Sequence, residues 1–187
     1  EEFIFEMKLT QGADGIWRVT EIQNLHDFIA LIAKAHDEIL ADYLTKSQAI
    51  MDSHAKSLQA IEQEFSSTLQ SGSLGNDETR KALKTIMTEK VVTDWTQRKD
   101  ELSALTVPPM ADTLHHLRLR SCDMRIAYAL GYAAWMDDKK AATIRDAQAK
   151  LKQAKTLETE AAALARHMSG QPTGVPQAMQ DQTKNES

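Results

Sequence analysis

Residues 24–70 read NLHDFIALIAKAHDEILADYLTKSQAIMDSHAKSLQAIEQEFSSTLQ, a run with no Gly and no Pro. Ile29, Ile32, His36, Leu40, Tyr43 and Ser47 open a stripe that continues through Ile50, His54, Leu58, Ile61, Phe65 and Leu69. The mean step is about 3.6 residues, the period of a straight amphipathic helix. With Asn24 as its N-cap, the spacing predicts one helix over 24–70, roughly 70 Å long at about 1.5 Å per residue. That segment decides the fold, because the rest must match its length.

Toward the C-terminus, Ser71-Gly72-Ser73-Leu74-Gly75 breaks the pattern and Asn76 or Asp77 caps the next helix. Leu83, Ile86, Met87, Val91, Trp95, Leu102 and Leu105 mark its buried face, and it must stop before Pro108-Pro109. A third helix opens at 110–112. Leu114, Leu117, Ser121, Met124, Tyr128, Gly131 and Trp135 follow in heptad steps, while Leu119, Ile126, Leu130 and Ala133 form a second face. Apolar on more than one side, this helix is expected at the centre. Residues 137–140 favour a turn, since an unbroken helix from 112 to 168 would far exceed usual helix lengths. The periodicity resumes at Ile144, Ala147, Leu151, Ala154, Leu157, Ala161, Leu164 and Met168.

Toward the N-terminus, Phe3, Phe5, Met7 and Leu9 alternate with polar or opposite-facing positions, and Ile16–Ile22 alternates again around Trp17 and Val19. With Gly12 and Gly15 between them, the two runs read as a β-hairpin. The fold class is therefore mainly α: an N-terminal β-hairpin (1–23), then an elongated antiparallel bundle of three or four long helices (24–168). Residues 169–187, rich in Gly, Pro and Gln without periodicity, read as a disordered tail.

Phe3-x-Phe5-x-Met7, the turn at Gly15 and Trp17-Arg18-Val19-x-x-Ile22 resemble the closing hairpin of small bacterial envelope domains, nuclear-transport-factor-like folds among them. There a Gly-x-Trp-x-Val strand closes a curved sheet. The resemblance covers about 20 residues and implies a sheet domain upstream of Phe3, behind a membrane anchor; residue 1, a Glu, fits a processed or excised chain. It also favours the bacterial envelope slightly over the cytoplasm. The helical remainder resembles no family.

Composition excludes several classes. The chain has 187 residues, a formal net charge of −5, seven Gly and four Pro. Residues 1–75 carry 5 basic and 12 acidic side chains, and 76–168 carry 16 and 13. This asymmetry reads as intrachain complementarity, and no basic cluster suggests nucleic acid. The uncharged, mostly apolar run Ile126–Met136 falls well short of the about 20 residues a membrane span needs. Cys122, the single cysteine, allows no internal disulfide and leaves the compartment open.

Chemistry-bearing patterns are few. His36 and His54 are about 27 Å apart along one helix, and His115 and His116 point about 100° apart. Glu-x-x-His is absent, so no metal is expected. Cys122, with Arg118 and Arg125 nearby, reads as an activated thiolate or, preferably, as a buried thiol acting as a small hydrophobe. Gly131 among Ala127, Ala129, Ala133 and Ala134 marks the close approach of a neighbouring helix or of an aromatic ring, or else a ligand groove. Cys122, Tyr128, Gly131 and Trp135 are accordingly the candidate ligand-binding residues. Phosphate loops, Gly-x-Ser-x-Gly elbows and CxxC pairs are missing, and no catalytic set or cofactor is indicated. The expected function is a non-catalytic interaction or scaffolding module of bacterial type that self-associates. A ligand binder or enzyme around 122–135, and a helical chaperone or secretion factor with an open apolar groove, are its rivals.

Overall fold

The computed structural model describes residues 2–170; Glu1 and most of the expected tail, 171–187, lie outside the described residues. The architecture is mainly α, a two-stranded antiparallel hairpin followed by long helices. Internal contacts divide the chain into two units, the boundary falling between Asp42 and Tyr43. The division expected after residue 23 lies inside the first unit.

In that first unit β1 (Met7–Gln11) pairs with β2 (Trp17–Ile22), with Leu9 opposite Val19 and Gln11 opposite Trp17. Gly15, at φ 75°, takes the left-handed conformation that turns the chain between them. Cross-strand partners share a face, so Leu9, Val19 and Trp17 lie together, Met7 one pleat beyond. All four are half or more exposed, Trp17 at 62%. Phe3 and Phe5 leave the ladder: their rings close on each other and on Phe28, with centroids 4.8–5.2 Å apart. Asn24 takes the expected position just before the first helix, its carbonyl accepting from the Phe28 amide at 3.2 Å, but its side chain turns to the hairpin. Its amide donates to the Ile4 carbonyl (2.7 Å) and accepts from the Glu6 amide (3.0 Å), carrying the pairing past the end of β1.

The long helix expected over 24–70 is two, α1 (Leu25–Ser53) and α2 (Ala55–Ser71). His54 interrupts them at φ −85° and ψ −7°. The stripe is buried or half-buried from Leu40 to Phe65, whereas Ile29, Ile32 and His36 are exposed. Asn76 caps α3 (Asp77–Thr85) by accepting from the amides of Glu78 and Thr79. A π-helical segment, Ile86–Val91, joins α3 to α4 (Val92–Ser103); Val92 reaches back five residues to the Met87 carbonyl. After the turn Pro109–Ala111 comes α5 (Asp112–Asp138). It ends at Lys139, held left-handed at φ 55°, so the turn favoured at 137–140 is present, and α6 (Ala141–Met168) returns along α5. Leu83, Leu102, Leu114 and Cys122 are fully buried at the centre of this second unit. On α5 burial includes Ser121, which the stripe contained, and extends to His115 and Arg118, polar positions it did not single out.

Candidate functional site

Asp94 and Arg98 stand one turn apart on the inward side of α4, where a charge is tolerated only if it is paired. The Arg98 Nη2 donates to Asp94 Oδ2 at 3.1 Å. The other Asp94 oxygen meets His54 Nδ1 at 2.9 Å, and His54 Nε2 lies 3.5 Å from Glu101. The break between α1 and α2 thus coincides with the residue whose ring meets α4. The Arg98 guanidinium lies 4.0 Å from the centroid of the Trp95 ring and that of Arg125 5.2 Å. Arg125 in turn grips Glu158 of α6 through two 2.7 Å bonds, the bidentate geometry that a planar guanidinium favours. Burial lowers the pKa of Arg98 and the nearby Asp94 charge opposes that shift. The guanidinium nonetheless stays charged, as arginine does in proteins.

Above this network runs a cleft of about 790 Å³. Leu58, Ile61 and Phe65 of α2 form one side of its lining and Leu151, Lys155 and Glu158 of α6 another. Between them lie Met87 and Val91 of the π segment, Trp95 and Arg98 of α4, and Tyr128 of α5. The lining is thus apolar with charged groups at defined points, the composition of small-molecule sites. A π turn in the wall is also a feature that recurs at functional sites.

Of the four residues singled out from the sequence, Tyr128 lines this cleft. Cys122 is fully buried against Trp95 and Leu102. Gly131 faces α6, where an added Cβ would come within 3.1 Å of the Ala147 methyl. Trp135 is half-buried and meets the Tyr132 ring edge-on at 5.4 Å. The structure therefore does not bring the four together. The residues that do converge, His54, Asp94 and Arg98, had one legible signal, the i, i+4 spacing of Asp94 and Arg98 beside Trp95.

Burial raises the Cys122 pKa to about 11, so the thiol is neutral at physiological pH and a poor nucleophile. In native buffer at pH 8 it should react with 5,5′-dithiobis(2-nitrobenzoate) on the order of a hundredfold more slowly than free cysteine. One equivalent should appear on unfolding. Fast native labelling would show that α5 opens at this point.

Among the described residues no group of three or more His, Cys, Asp or Glu side chains is gathered to hold a metal, and no helix is long and apolar enough to cross a membrane. Comparisons with protein-family models, curated proteins and solved structures give no match.

Proposed function

We propose that this chain is a non-catalytic interaction module that self-associates, a second copy seating on the apolar face of the β1–β2 hairpin. The observation that carries this reading is the open face made by Met7, Leu9, Trp17 and Val19. A two-stranded ribbon is marginally stable alone in water and gains from a second layer. Apolar patches of about 300–600 Å² on monomers are commonly functional, and a stable interface takes about 800 Å² from each partner. Leu25 and Ile29, at the start of α1, are exposed as well.

Most charges on the ribbon itself are paired. Lys8 pairs with Glu21 across the ribbon and Arg18 with Asp14 in the turn, so a second copy meets few uncompensated charges on these strands. Among the described residues each strand also has one neighbour only, which leaves its outer edge open to an isologous two-fold contact. On the same reading, the hairpin's likeness to bacterial envelope domains favours that setting.

Sedimentation velocity from low to high micromolar concentration tests the proposal. The wild-type chain should shift from monomer to dimer. Trp17→Glu should weaken association by at least about thirtyfold, the scale of a central interface aromatic, without a change in helical content. A wild-type chain that stays monomeric throughout overturns the reading.

A further inference from the structure

We infer that the cleft between α2 and α6 binds a small carboxylate amphiphile, an apolar chain ending in a single anionic head. The first ground is an unmet donor. Arg98 is 3% exposed and lines the cleft, and its Nε–H has no acceptor among the described residues. A buried donor without a partner is costly and uncommon, so a ligand oxygen supplied here satisfies the site.

The second ground is the charge pattern. Arg98, Arg125 and Lys155 come from α4, α5 and α6. Asp94 answers the first and Glu158 the second, while Lys155 has no ion-pair partner among the described residues. One cation is therefore in surplus on that side. The other carboxylates in the lining, Asp52 and Glu62, come from α1 and α2, so the head belongs toward α4 and α6. The chain then lies over Phe65, Met87, Val91 and Tyr128, the apolar part of the lining.

Size separates a small molecule from a docked helix. Sites of about 300–1,000 Å³ take small ligands, and this one is about 790 Å³. A three-turn helix, about 10–12 Å across and roughly 16 Å long, displaces well over about 1,000 Å³. The inference does not rest on self-association, because the residues that line the cleft run from Met51 to Glu158 and include none of the hairpin.

Calorimetric titration of the full chain with decanoate, and with 1-decanol as the uncharged counterpart, tests it. Decanoate should saturate one site per chain and 1-decanol should bind at least about tenfold more weakly, as expected when a buried donor loses a charged acceptor. Arg98→Lys, which keeps the charge but not the Nε–H, should weaken decanoate by about tenfold. Lys155→Ala should weaken it by about fivefold; Lys155 is exposed on α6, so this variant keeps the test intact if Arg98→Lys unfolds. No saturation at millimolar decanoate, equal binding of 1-decanol, or unchanged binding in Lys155→Ala overturns the inference.

Discussion

Asp94→Ala should lower the free energy of unfolding by about 3–5 kcal/mol, the scale for removing one partner of a buried ion pair. Asp94 is 7% exposed and is the shared acceptor of Arg98 and His54, so its loss strands a guanidinium and an imidazole at once. Arginine has no low-cost neutral form, and the cost must appear as instability rather than as a shifted titration. For a chain of this length about 3–5 kcal/mol corresponds to a fall of roughly 10 °C in Tm. Asp94→Asn, which keeps an acceptor oxygen, should lose less. Asp94→Ala combined with Arg98→Met should recover part of the loss, since replacing both partners by apolar groups is often close to neutral. Thermal and urea unfolding of the three variants give the comparison. If Asp94→Ala stays within about 1 kcal/mol of wild type, near a surface pair's worth, the network does not hold α2 to α4.

That network also shows where sequence reading reaches its limit. The absence of Gly and Pro from 24–70 excludes low-cost helix breaks, and the periodicity places Tyr43, Ser47 and Ile61 correctly in the interior. Neither signal can register a break imposed from another element. The break falls at His54, whose Nδ1 meets Asp94, 40 residues later. Nothing local to either residue encodes that distance.

The hairpin was legible for a different reason. Alternation is a local property, and the two runs do pair: β2 covers Trp17–Ile22 as the pattern places it, while β1 starts only at Met7 and runs on through Gln11. The pattern overreached at Phe3 and Phe5, which alternate as strand residues do. The Asn24 side chain takes the backbone groups of Ile4 and Glu6 in place of ladder partners, freeing both rings to close on Phe28. Similarly, the stripe on α5 identified a helix apolar on several sides, but Arg118 and His115 are buried there too. Arg118 reaches Gln48 at 3.1 Å and the His115 ring lies 3.3 Å from the Tyr43 hydroxyl. Polar burial of this kind follows from partners on other helices, which periodicity does not count. The cleft was the least legible feature, since α2, the π segment, α4, α5 and α6 all contribute to it.

Gly131→Leu should destabilise the chain by about 3 kcal/mol, at the upper end of the usual cost of overfilling a packed interior. Glycine in a helix costs about 1 kcal/mol relative to alanine, and α5 offsets that cost by letting α6 approach. Ala147, Ala154 and Ala161 recur every seven residues on α6 and all are buried, giving it a narrow face. At Gly131 the approach is close enough that an added Cβ would stand 3.1 Å from the Ala147 Cβ and 3.5 Å from its Cα. The second of these is backbone, so a larger side chain can be accommodated only by moving the helix. Gly131→Ala sets a propensity gain of about 1 kcal/mol against that tight contact and should change stability little. Adding Ala147→Gly should relieve part of the Gly131→Leu loss, a coupling expected of contacting residues and absent from independent sites. Additive losses in this double-mutant cycle would mean that α5 and α6 do not meet at these two residues.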